Sequence, residues 1–208
     1  RMAGVAYYVL KQSGRLANVG RDFRFSLQSI YETGCQKNLF SKNVLISLSE
    51  LFDSAKFSYA FLKGSFLSTE VFPEGLRTSN DFDLLISPED ISACENLLKS
   101  AGFIQGYYHV DQGILPASRR QIIDSRLNRG ETVPFLKESE LKSLPVIEID
   151  LNFSLDFKAG KRNQITDMLE NVVPFSPQPN SFLFTLSPTD FLIHLCAHLY
   201  KEASVYFW

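Results

Sequence analysis

Apolar residues fall at helical spacing through residues 21–53, first as Phe23, Leu27, Ile30 and Tyr31 and later as Val44, Leu45, Leu48, Leu51 and Phe52. This pattern predicts an all-helical N-terminal portion, with Gly14, Gly20 and Gly34 as breaks between or within its helices. The period then changes. Tyr59, Ala60, Phe61 and Leu62 form a short apolar run ending at Lys63-Gly64-Ser65, as expected of a buried strand entering a tight turn. After a loop holding Pro73 and Gly75, residues 82–86 read as a second strand. Pro88 suits the start of a helix over 89–101, and Gly102 suits its stop.

Residues 105–144 are mixed and polar, with a helix expected near 118–127, and suggest a substrate-facing insertion. Residues 146–153 alternate as a strand, 161–169 follow a helical pattern, and Pro188 begins an amphipathic helix through Leu192, Leu195 and Leu199. These elements give an α+β expectation: a small mixed sheet flanked by helices. The expected division is a helical portion over 1–56, a core over 57–158 and a C-terminal helical portion over 159–208.

A chain of 208 residues with 18 Phe can build one sizeable core. Its net charge of −2 lacks the basic footprint of a nucleic-acid-gripping protein, so a polynucleotide partner is disfavoured. Cys35, Cys94 and Cys196 are far apart, without metal-ligand spacing, and read as reduced core thiols. No apolar run approaches the roughly 20 residues that span a bilayer, so a cytoplasmic protein with no membrane partner is expected. The start at Arg1 and the stop at Trp208 inside a helical pattern lead us to expect a piece of a longer chain.

The candidate chemistry lies in the acids. Asp81 and Asp83 stand at i and i+2 at the mouth of a strand, so alternation projects both from one face. Two like charges there raise each other's pKa and are costly unless a cation neutralises them. Magnesium, which prefers carboxylate and phosphate oxygens, is the natural cation, with manganese an alternative. On the later strand Glu148, Asp150 and Asn152 share a face, and Asp150 would complete a three-carboxylate site if the strands are neighbours. Glu148, one pleat away, is assigned a supporting role. Gly64-Ser65 occupies a place where backbone N–H groups can hold phosphate oxygens. Lys63 and Arg77 could offset phosphate charge, but Lys63 could equally be a surface lysine, and Arg77 could pair with Asp81 or Glu74. His194 and His198, at i and i+4, read as helix packing positions, and His109 supports no assignment.

The order Leu62-Lys63-Gly64-Ser65, Arg77, Asp81 to Ile86, then Asp150 resembles the signature of the DNA polymerase β nucleotidyltransferase superfamily. More closely, it is similar to a bacterial nucleotidyltransferase family with an LKG turn, an Arg before a DxDLLV strand, and a later DLHW segment. Asn152 stands where that family often has His. The distance from Gly64 to Asp81 exceeds that of compact antibiotic-modifying members. The resemblance implies transfer of a nucleotide from an NTP such as ATP to a hydroxyl of a small molecule or protein, with loss of pyrophosphate. It places Asp81, Asp83 and Asp150 as catalytic metal ligands, with Lys63, Gly64, Ser65 and Arg77 on the nucleotide. The rival expectation is a non-catalytic nucleotide-binding or regulatory module that keeps the fold.

Overall fold

The structure is a computed structural model that describes residues 2–141, 143–155 and 163–206. In chain order its elements are α1 (Met2–Gln12), α2 (Arg21–Phe52), β1 (Tyr59–Phe61), α3 (Lys63–Phe66), β2 (Asp81–Ile86), α4 (Ile91–Ser100), β3 (Ile104–His109), β4 (Gly113–Pro116) and α5 (Arg119–Asn128). There follow β5 (Phe135–Glu138), β6 (Val146–Asn152), α6 (Asn163–Glu170), β7 (Val173–Gln178), β8 (Ser181–Thr185) and α7 (Pro188–Tyr206). Six strands form a mixed sheet in the order β1-β2-β6-β5-β3-β4, and β7 and β8 form a separate hairpin. The α+β class expected from the sequence is the class observed.

Strand alternation divides the sheet's central pair into two faces. Phe82, Leu84, Ile86, Ile149 and Leu151 turn toward α2 and α4, where they pack with Val44, Leu45, Leu48, Phe52, Cys94 and Leu98. Ala60, Leu62 and Leu85 turn the other way, onto Ile165, Met168 and Leu169 of α6 and Phe191 of α7. The acids of β2 and β6 are on this second face. The β7–β8 hairpin closes the β1 edge: Thr185 donates its hydroxyl to the Phe61 carbonyl at 2.7 Å, and Phe184 meets Tyr59 edge-on.

Three expectations are corrected. Gly34 is no break but lies inside the 32-residue α2, where an added Cβ would come within 2.6 Å of the Gly75 carbonyl oxygen. That close approach seats loop 72–80 on α2, and Asn38 pins it by donating to the Arg77 carbonyl and accepting from the Gly75 N–H, each at 2.7 Å. Residues 105–144 are no mere insertion, since β3, β4 and β5 supply half the sheet, with only α5 foreseen. The C-terminal region is not wholly helical, because it carries the β7–β8 hairpin between α6 and α7. Lys161, where a helix was expected to begin, lies outside the described residues, as does the 158/159 boundary.

Among the described residues no helix is long and apolar enough to cross a membrane. All three cysteines are free, but only Cys94 is a buried core thiol: Cys35 is half-buried and Cys196, on α7, is exposed.

Candidate active site

The site begins where β1 ends. Leu62 donates its N–H to the Asp83 carbonyl at 2.9 Å, extending the β1–β2 pairing by one residue before the chain turns. Lys63 makes that turn in the left-handed region, at φ 41°, a conformation that costs a side-chain-bearing residue on the order of 1 kcal/mol. Gly64 follows because nothing larger fits: an added Cβ would come within 2.3 Å of the Ser79 hydroxyl oxygen. Ser79, held against the turn, donates its hydroxyl to Asp81 Oδ1 at 2.7 Å. The Lys-Gly turn thus helps fix the first acid as well as shaping its own loop.

β2 and β6 are adjacent and parallel, with Asp81 opposite Glu148 and Asp83 opposite Asp150. Carboxylate oxygens of Asp81, Asp83 and Asp150 lie within 4.8 Å of one another. Lys63 Nζ donates to Asp83 Oδ1 at 2.8 Å, and Asn152 Nδ2 donates more weakly to the same oxygen at 3.4 Å. Burial raises the pKa of Asp150 to about 8, reinforced by the charges of Glu148, Asp83, Asp81 and Glu131. Burial raises Glu148 too, with smaller contributions from Asp81 and Asp83. An all-oxygen donor set of converging carboxylates, whose mutual repulsion a cation would relieve, fits a hard divalent metal.

Asp81 and Asp83 border a cleft of about 790 Å³. Lys63, Gly64, Arg77, Asp81, Asp83 and His198 line it, while α1 and the N-terminal half of α2 form its far wall. The Arg77 guanidinium sits 5.7 Å from the centre of the Phe72 ring, and its Nε is buried without a hydrogen-bond partner among the described residues. Ser65 differs from its neighbours. It is 2% exposed, its N–H is taken by the Leu62 carbonyl at 3.2 Å, and its hydroxyl has no partner among the described residues. His194 is buried one helical turn from His198, and burial, then the charge of Lys63, lowers its pKa to about 4.

The structure therefore gathers Asp81, Asp83 and Asp150 into one cluster, sets Lys63, Gly64 and Arg77 along the adjoining cleft, and sinks Ser65 beneath the turn. Ser79, which holds Asp81, was not singled out from the sequence, whereas Asn152, which holds Asp83, was placed there on the face of the acids. The signal of Ser79 was available, because it is two residues from Asp81. Lys37, which donates to Asn80 at 3.5 Å beside the acids, carried no such signal, because it lies on α2, far from them in sequence.

Residues 1–206 match the family described as an uncharacterised nucleotidyltransferase. The chain belongs to that family. The match takes in all three acids and both walls of the cleft, and membership supports a transferase that uses an NTP. No curated protein matches this nucleotidyltransferase family member.

Proposed function

We propose that the protein is a magnesium-dependent nucleotidyltransferase that moves an NMP from an NTP to a hydroxyl of an acceptor. The observation that carries this reading is the convergence of Asp81, Asp83 and Asp150 beside a cleft large enough for a nucleotide. Asp81 and Asp83 would hold the cation on the nucleotide side, and Asp150 would complete its ligands on the acceptor side. Magnesium, or manganese in its place, would supply charge to steady the triphosphate and the developing charge at the α-phosphorus.

The chain's own residues do the positioning. Gly64 lines the cleft beside Ser79, so its backbone stands where a phosphate could be held. Lys63 is within reach of both Asp83 and the cleft, so its ammonium can pass from carboxylate to phosphate as a nucleotide enters. Arg77, with a buried unpartnered Nε, supplies a second cation for the triphosphate. Ser65 contributes through the turn's packing, and its hydroxyl becomes a phosphate ligand only if the turn opens.

The Lys63–Asp83 ion pair also favours a second reading, a non-catalytic nucleotide-binding module in which the lysine permanently replaces the cation. Product chemistry separates the two. Incubation with each NTP, labelled in turn at the α- and γ-phosphorus, should release pyrophosphate and leave the α-label on the acceptor or, slowly, on water. Release of orthophosphate alone would indicate a different reaction. Release of nothing, with nucleotide bound, would favour the module.

A further inference from the structure

A second cleft, of about 490 Å³, opens on the other side of the acid row. Tyr107 and Tyr108 of β3, Leu136 of β5 and Glu148 of β6 line it, and it shares Lys37 and Asn80 with the first cleft. Register fixes its relation to the acids: Glu148 is opposite Asp81 on β2 and one pleat from Asp150 on its own strand. The two clefts therefore flank the carboxylate cluster, one reaching it from the Lys-Gly turn and the other from the strands beyond β6.

We propose that this second cleft receives the acceptor, and that the acceptor is a small polyhydroxylated molecule of neutral or positive charge. The inference rests on the nucleotidyltransferase reading above and adds the acceptor to it. Among the described residues its lining pairs Tyr108, which strand alternation puts on the same face as Glu148, and an aliphatic wall with the Glu148 carboxylate, the Asn80 amide and the Lys37 ammonium, a set that binds a ring whose hydroxyls both donate and accept. Among the described lining residues a phosphorylated acceptor would find one cation, Lys37, together with the carboxylate of Glu148. The volume admits a molecule of about one or two sugar rings, at the lower end of small-molecule sites. In the reaction the acceptor oxygen forms a bond to the α-phosphorus and the bond from that phosphorus to the bridging oxygen breaks. Pyrophosphate leaves with the electron pair, and the hydroxyl proton departs to water through the open cleft.

Saturation-transfer NMR on the full chain tests this with glucose, N-acetylglucosamine, glucosamine and myo-inositol, beside glucose 6-phosphate and a serine-containing peptide. At least one uncharged or cationic polyol should bind the wild type. Tyr108→Ala and Glu148→Gln should each weaken it about tenfold, the scale of one lost hydrogen bond. Tyr108 is 38% exposed and Glu148→Gln keeps the side chain's shape, so melting curves without ligand should show both variants folded. No polyol signal, a signal unchanged in the variants, or a preference for the phosphate ester or the peptide would each overturn the proposal. A magnesium-dependent thermal shift with an NTP, measured on the same wild-type sample, tells which reading fails. Its presence without polyol binding removes the acceptor assignment alone, and its absence removes the nucleotidyl-transfer reading.

Discussion

Lys63 Nζ donates to Asp83 Oδ1 at 2.8 Å, so one acid of the cluster is already neutralised by the residue that begins the Lys-Gly turn. Both side chains are largely buried, at 17% and 7% exposure, so the pair is screened less than a surface salt bridge. A divalent cation entering alone must sit near this ammonium and is repelled by it. With a nucleotide present, phosphate can take the ammonium and free Asp83.

Metal and nucleotide should therefore bind with positive coupling. In Lys63→Met, isothermal titration should show manganese binding alone about tenfold tighter, the scale of one screened charge repulsion, and binding with nucleotide weaker. Equal manganese affinity in variant and wild type would mean that the ion pair does not gate the site.

The pH dependence of stability without divalent cations should carry two opposed slopes. Asp150 binds its proton more tightly folded than unfolded, with a pKa of about 8 against roughly 4 in the unfolded chain. Its contribution is present below about pH 4 and is lost as pH rises toward 8. His194 behaves in the opposite sense. Its pKa of about 4 lies below the unfolded value near 6.5, so its contribution is present above that value and is lost as pH falls toward 4. Melting curves should show Asp150→Asn more stable than wild type at pH 8 and His194→Gln less sensitive to acid. An Asp150→Asn chain that melts lower than wild type at pH 8 would refute the burial argument for that acid.

Gly64→Ala places a methyl group within 2.4 Å of both Ser79 Cβ and Ser79 Oγ. The crowding should destabilise the fold by about 1–3 kcal/mol and push the Ser79 hydroxyl off Asp81. Adding Ser79→Gly removes the clash without restoring the hydrogen bond. Denaturant melts of the double variant should recover most of the lost stability, while manganese affinity stays below wild type. Failure to recover stability would place the need for glycine in backbone freedom and not in this contact.

Much of the site was legible because its signals are local. The DxD pair, the alternation of Glu148, Asp150 and Asn152, and the glycine after Lys63 each sit within a few residues, and strand period alone sets their faces. That β2 and β6 are neighbours needed a conditional assumption, which the parallel register supplies. The strands β3, β4 and β5 were missed because Gly106, Gly113, Pro116 and Pro134 interrupt their apolar pattern, and exposed Tyr107, Tyr108 and Val110 blur it further. Gly34 misled for a different reason. A glycine required by a neighbouring backbone, here that of Gly75, reads like a helix breaker when only the local sequence is considered.

The most direct test of the central claim is a thermal-shift titration of the wild-type chain with ATP, GTP, CTP and UTP, with and without Mg²⁺, beside Asp81→Ala. At a hundredfold excess over Kd, a bound nucleotide adds about 2.7 kcal/mol of stability. That corresponds to a rise of roughly 5–10 °C for a chain of this length. We predict such a rise with at least one nucleotide, dependent on Mg²⁺ and absent from a folded Asp81→Ala. No rise with any nucleotide, or an equal rise in Asp81→Ala, would contradict a metal-dependent nucleotide site at Asp81, Asp83 and Asp150.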